Sequence, residues 1–177
     1  MTLTDLQTGL LSGAQVLDAQ KCVGDLRELW MEPAEIADPD ALLYRTQTFR
    51  TGLEAEGILF WGNTTLMPGR VGAEFFMTRG HRHLRKTHGE LCVTVWGQGA
   101  LVLMDEDRST RFEEMRPGST HWIDGRFAHR TVNTGDEPLV FLCAWPADCG
   151  HDYDEVARLG FGARLLDVDG KPALVSI

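Results

Sequence analysis

Two stretches decide the reading of this chain. Residues 80–97 read GHRHLRKTHGELCVTVWG, and residues 118–133 read GSTHWIDGRFAHRTVN. In an extended strand the side chains at i and i+2 share a face, so His81 and His83 point the same way. Glu90 follows seven residues after His83, placed to return on an antiparallel strand, and Gly97 closes that run. His129 comes from farther along, in a strand that ends at Asn133. Three imidazoles and one carboxylate at this spacing suit a divalent first-row metal inside a small β-barrel, with coordination positions left open. The plainer reading, a pair of surface histidines on a polar face, accounts less well for the distribution of the six histidines, all of which lie between His81 and His151.

Outward from these stretches the chain reads as short β runs broken by Gly, Pro and Asp. Residues 57–67 (GILFWGNTTLM) form a strand, MPGR a turn, and residues 71–78 (VGAEFFMT) a further strand. ELCVTVW, the turn GQG and ALVLM read as a hairpin, with a second turn at Asp105–Arg108. RPGS turns into STHWI, and FAHRTVN and PLVFLCAW are strands joined across TGDE. A short helix spans Tyr153–Arg158, and strands LLDV and ALVSI flank Asp169-Gly170. Toward the N-terminus, residues 14–30 (AQVLDAQKCVGDLRELW) have apolar spacing near 3.6 and read as an amphipathic helix. Residues 38–44 begin either a second helix or an edge strand. Many short strands at even spacing imply a sandwich or barrel.

Composition narrows the function classes. A chain of 177 residues is expected to form one domain with a sizeable core. No run of about 18 apolar residues exists, so no membrane span is expected. The N-terminal MTLTDLQTGLLSG lacks the basic and apolar regions of a signal peptide. Cys22, Cys92, Cys143 and Cys149 fall in no CxxC pattern and read as reduced thiols of a cytoplasmic protein. The net charge of −9 argues against nucleic acid. An anionic substrate therefore needs local positive charge, and Arg79, Arg82, Arg85 and Lys86 gather around the first stretch, unless they are a solvated loop.

The two half-motifs resemble those of the cupin superfamily, and the chain is most similar there to the cupin-type phosphoglucose isomerases of archaea and some bacteria. Residues 64–72 (TTLMPGRVG), 74–83 (EFFMTRGHRH), Glu90, 128–138 (AHRTVNTGDEP) and 146–153 (PADCGHDY) carry the resemblance, over roughly residues 60–165. It implies a mainly β fold, a double-stranded β-helix or jelly-roll barrel with an N-terminal helical extension. Residues 1–177 would make a single domain: an extension over 1–50, a barrel core over 56–150, and a C-terminal helix and strands over 151–177. It implies one divalent metal per subunit (iron, manganese, zinc or nickel) held by His81, His83, Glu90 and His129. It implies His151 and Tyr153 at the pocket mouth, opening the sugar ring or holding its hydroxyls. Phosphate recognition carries over to Thr64, Thr78 and Gly80, whose hydroxyls and backbone N–H can donate to phosphate oxygens. The implied partners are a phosphosugar and a second copy in a homodimer.

The implied reaction interconverts glucose 6-phosphate and fructose 6-phosphate. Aldose–ketose isomerisation moves a hydrogen between C1 and C2 and needs the oxygens on those carbons polarised, which a Lewis-acid metal does. A base within reach of the C–H is the second need. Glu90 is either that base or only a ligand, because a hydride shift needs no base. The chain also departs from the family. Cys92 and Trp145 stand where the family carries tyrosines and Arg126 where it carries an aromatic residue, and Tyr44 and Tyr153 are the two tyrosines present. Arg126 is expected to supply the missing phosphate contacts through a guanidinium fork. The alternatives are a cupin metalloenzyme for another phosphosugar or sugar acid, an oxygen-using cupin, and a non-catalytic sugar-binding cupin, since one barrel hosts many functions.

Overall fold

A computed structural model describes residues 1–53 and 55–177. Two-residue strands β1 (Leu3–Thr4) and β2 (Leu11–Ser12) pair at the start of the chain. They lead into β3 (Val16–Cys22), two short 3₁₀ segments (Val23–Leu29 and Pro33–Glu35) and β4 (Leu42–Phe49). The strands β5 (Leu59–Leu66), β6 (Arg70–Val71), β7 (Glu74–Phe75), β8 (Arg82–His83) and β9 (Glu90–Trp96) follow. Next come β10 (Gly99–Met104), β11 (Thr110–Met115), β12 (Thr120–Ile123), β13 (Ala128–Asn133), β14 (Leu139–Pro146) and β15 (His151–Asp152). Helix α1 (Asp154–Leu159) and the hairpin β16 (Ala163–Val168)–β17 (Lys171–Ser176) end the chain.

A six-stranded antiparallel sheet, in the order β12-β9-β14-β5-β4-β3, forms one wall. The facing wall starts from β11-β10-β13. It continues through residues 76–83, which run beside β13: Asn133 N–H donates to Phe76 O at 2.9 Å, Thr78 N–H to Thr131 O at 2.9 Å, and His81 bridges His129. All six residues of β10 (GALVLM) are buried, which explains its unbroken apolar run. In β9 burial alternates, so Glu90, Cys92 and Thr94 face inward while Leu91 is exposed. Leu66, Met77, Leu101, Leu103, Met115 and Leu139 are fully buried and form the centre of the core.

Three sequence expectations change here. The amphipathic helix over 14–30 is instead strand β3 followed by 3₁₀ turns. β3 pairs along the outer edge of β4, from Val16–Phe49 to Cys22–Leu42, and closes an edge that a helix would have left open. The remaining apolar spacing, Val23, Leu26 and Leu29, has period three and buries one face of a three-residue-per-turn helix. Second, β9 and β10 are not a hairpin. β9 pairs with β12 and β14, whereas β10 pairs with β11 and β13. Gly97, at φ +80°, carries the chain from one wall to the other, and a Cβ there would sit 2.4 Å from Pro138 O. The TGDE turn likewise switches walls rather than pairing β13 with β14. Asn133 fixes it by donating to Leu66 O at 2.9 Å and Glu137 O at 2.8 Å, and by accepting from Gly135 N–H at 2.9 Å. Third, Glu90 does not return on the strand beside His81 and His83. β8 pairs with β15, and Glu90 reaches the histidines from the opposite wall.

Candidate active site

The space between the walls is a cavity of about 300 Å³, at the lower end of the range for small-ligand sites. Inward-facing positions of the large sheet line one side in rows. Thr46, Thr64 and Phe141 make one row, and Thr48, Gly62, Cys143 and Cys92 the next. Trp145 leans across Gly62, where a Cβ would meet its ring at 2.8 Å. The opposite side is Thr78, Arg79, Gly80, His81, His129 and Arg130, with His151 and Tyr153 at its rim. Gly80 is required where it stands. Its φ is +78°, and a Cβ would lie 3.0 Å from both the His129 carbonyl and Arg130 Cβ.

His81, His83, Glu90 and His129 converge, each offering one ligand atom within 4.8 Å of the others. Their rings crowd edge to face: His81 and His129 centroids are 4.3 Å apart, and those of His83 and His129 5.3 Å. Glu90 Oε2 lies 3.4 Å from His83 Nε2 and 3.7 Å from His129 Nε2. The far nitrogens are tied to backbone, His83 Nδ1 to His88 O at 2.6 Å and His129 Nδ1 to Phe127 O at 3.4 Å. Such second contacts fix a metal-binding imidazole in its tautomer. The near nitrogens, Nε2 of His81, His83 and His129, are buried with no hydrogen-bond partner. Leaving three such atoms unmet costs roughly 1–3 kcal/mol each, and a divalent cation among them satisfies all three. The donor set fits one.

Electrostatics agree. Burial, reinforced by His129, His151 and His83, holds His81 well below the usual imidazole range. Burial also lowers His129, against the pull of Glu90. Burial works against charge on His83, yet Glu90 and the His88 carbonyl outweigh it and raise its pKa. Burial pushes Glu90 up, but His83, His129 and the Cys143 thiol together hold it below its usual range. Burial thus favours the neutral, ligating form of His81 and His129, while the contact of His83 with Glu90 is one that a cation would replace.

His151 and Tyr153 stand beside this cluster. The His81 and His151 centroids are 4.3 Å apart, and Tyr153 lies 5.4 Å from His81. Burial brings His151 down to about 4 and raises Tyr153. Thr64, Thr78 and Gly80 line the same cavity, with Thr78 Oγ1 accepting the Thr131 N–H at 3.0 Å. Arg126 is not brought to it. Its side chain is 66% exposed and forks onto Asp124, at 2.6 Å from Nη2 to Oδ2. A carboxylate two residues earlier, on an outward turn, has captured the guanidinium.

The basic cluster divides. Arg82 is buried on Glu155 at 2.8 Å and also donates to the Arg126 carbonyl. Arg85 pairs with Asp148 at 2.6 Å and Lys86 with Glu106. Arg79 alone of the four lines the cavity, with its guanidinium 4.7 Å over the Tyr153 ring. Arg130 and Arg50 line it too. Arg130 lies 4.2 Å over Phe161 and donates to Arg79 O at 3.0 Å. Arg79 was legible as a site residue from its place between Thr78 and Gly80. Arg50, Thr46 and Thr48 carry no motif, and only the pairing of β4 with β5 brings them in.

Among solved structures, oxalate decarboxylase from Bacillus subtilis at pH 4.6 aligns with 61% of this chain and 26% of its own, at 22% identity and a TM-score of 0.48. The sequence relatives reach further. Glucose-6-phosphate isomerase of Pyrococcus horikoshii is 36% identical over 97% of this chain and 91% of its own length. Glucose-6-phosphate isomerase of Sinorhizobium medicae is 35% identical over 93% of this chain and 78% of its own. The family described as "Glucose-6-phosphate isomerase (GPI)" matches residues 28–174. With four metal-type donors at the centre of a β-walled cavity and relatives aligned along almost its whole length, this chain belongs to the cupin-type glucose-6-phosphate isomerase family.

Proposed function

We propose that this protein interconverts glucose 6-phosphate and fructose 6-phosphate at the cavity between its two walls. The observation that carries the reading is the meeting of His81, His83, Glu90 and His129 beside threonine hydroxyls and Arg79 in one cavity. The four converging side chains hold one divalent ion per subunit, and iron, manganese, zinc and nickel all accept such a nitrogen–oxygen set. That ion supplies Lewis-acid polarisation of the C1 and C2 oxygens.

The other work falls to side chains. Thr64, Thr78, the Gly80 N–H and Arg79 hold the phosphate, with Arg79 in the place that Arg126 does not fill. His151, neutral at pH 7, takes the proton of the C1 hydroxyl as the ring opens. Tyr153, kept protonated, donates to a sugar oxygen. Glu90 takes the proton from C2 and returns it at C1. Its 3.4 Å contact with His83 favours a second reading, in which Glu90 only ligates and the hydrogen passes as a hydride.

No helix among the described residues is long and apolar enough to cross a membrane, and none of the four cysteines is in a disulfide. Both support a cytoplasmic enzyme in glycolysis and gluconeogenesis. Exposed Leu91 and Trp122, cross-strand neighbours on the outer face of the large sheet, support a homodimer built through that face. The test is an assay of fructose 6-phosphate conversion by purified protein, before chelation, after it, and after metal is returned. Activity lost on chelation and restored by metal is expected. A metal-loaded protein without activity sinks the isomerase reading.

A further inference from the structure

The loop from β14 to β15 brings a thiol to the edge of the histidine cluster. Cys149 is 1% exposed, and its Sγ lies 3.7 Å from His151 Nε2. Its backbone is held on both sides: Cys149 N–H donates to Pro146 O at 3.1 Å, and its carbonyl accepts Arg85 N–H at 2.9 Å. His151 and His83 are register partners across β15 and β8. One ligand atom from each of His83, Cys149 and His151 lies within 4.8 Å of the others. His83 is 1% exposed, its Nδ1 is committed to the His88 carbonyl, and its buried Nε2 has no hydrogen-bond partner. Around a tetrahedral zinc, one sulfur and one imidazole nitrogen stand about 3.6 Å apart, given their usual bond lengths. The Cys149–His151 separation is already near that value.

We infer that His83, Cys149 and His151 form a second cation site, selective for strongly thiophilic divalent ions such as cadmium, and that it competes with the His81–His83–Glu90–His129 set for His83. Thiolate ligands favour soft ions such as cadmium, whereas the three-histidine, one-carboxylate set suits iron, manganese, nickel and zinc. As an ion binds, the Cys149 S–H proton leaves to solvent and a sulfur–cation bond takes its place, with no change of oxidation state. One nitrogen, His83 Nε2, cannot serve both sets fully, so each chain holds one ion or the other. An ion in the second site also withdraws His151 from the cavity. The consequence, that thiophilic ions inhibit turnover, rests on the isomerase reading. The binding itself does not.

The experiment titrates the full-length, metal-free protein with cadmium and follows the ultraviolet charge-transfer absorption of a cadmium–thiolate bond. Wild type is expected to saturate at about one cadmium per chain, and manganese-loaded protein to release about one manganese as it does so. In Cys149→Ser the band should fall at least about tenfold. The double variant Cys92→Ser/Cys143→Ser removes the other cavity thiols and should keep it. His151→Gln is a second ligand variant and should weaken it. Unchanged manganese-supported turnover in Cys149→Ser identifies the loss as that of a ligand and not of the fold, and the cadmium concentration for half-inhibition should then rise about tenfold. A wild type without the band, or an equal band in Cys149→Ser, overturns the site. Manganese and cadmium held together on one chain overturn the sharing of His83. Should the protein prove not to be an isomerase, the absorption and displacement results are unaffected.

Discussion

The two walls of the cavity are built differently. The large sheet lines its side with long alternating strands, and the side chains it offers are mostly neutral: Thr46, Thr64, Phe141, Cys143 and Cys92. The opposite wall adds to the sheet β11-β10-β13 an irregular segment, a two-residue strand and an isolated bridge, and where it meets the cavity it carries Arg79, His81, His129 and Arg130. Regular strands set the shape. The irregular wall lets backbone pass close enough for several donors to meet, as Gly80 does against the His129 carbonyl. Glu90 and Arg50 are the charged exceptions, and Glu90 is aimed across the cavity at three imidazoles. Substitutions on the irregular wall and at Glu90 should therefore act on chemistry, and those outside the cavity should not.

The largest effect is expected from His81→Ala/His83→Ala. Losing two of four donors should remove bound metal and, with it, turnover. Elemental analysis beside wild type checks this, and equal metal content in both would break the contrast between the walls at its centre. Glu90→Gln comes next. If Glu90 moves the proton, turnover should fall by about 10²–10⁴ while metal content falls less, and product formed in heavy water should carry deuterium at C1. Normal turnover with no solvent label would leave Glu90 as a ligand alone.

These two predictions rest on residues that were readable from the chain. His81, His83 and His129 could be placed because a period-two pattern fixes which side chains share a face, and that holds whichever strand lies alongside. Pairing partners were less legible. Glu90 comes from the opposite wall because the chain crosses between β8 and β9, and Gly97 then sends it back to β10; a turn looks the same whether it closes a hairpin or changes sheets. Residues 14–30 misled for a related reason. Their apolar spacing reports local amphipathicity, but the open edge of β4 is a tertiary demand that no local spacing records. Arg79 and Arg126 show the limit for charge. Both are arginines near a ligand, and what separates them is whether a carboxylate stands close enough to take the guanidinium first.

Arg79→Ala sharpens that point. A charge-assisted bond is worth roughly 1.5–3 kcal/mol, so its loss should raise KM for the phosphosugar about tenfold to a hundredfold with kcat changed much less. Steady-state kinetics on both sugars measures it. An unchanged KM would mean that its stacking on Tyr153 is its whole role, and would return phosphate binding to the threonines.

The smallest effect belongs to Arg126→Ala. The Asp124 carboxyl, held down to about 2 by the Arg126 side chain and backbone N–H, stays ionised from mildly acid pH upward. It is a carboxylate whose pKa is depressed, so its pairing weakens only as pH falls toward that low value and not as pH rises. Across the range where an isomerase would be assayed, Arg126 therefore remains engaged with Asp124 rather than released toward the cavity. Its side chain is 66% exposed, and exposed ion pairs contribute little. KM, kcat and metal content of Arg126→Ala should each stay within about twofold of wild type, at pH 6 as at pH 8. A tenfold rise in KM would mean that the loop at Asp124–Phe127 turns inward when the sugar binds. The outer surface of this barrel would then share in substrate recognition with the irregular wall.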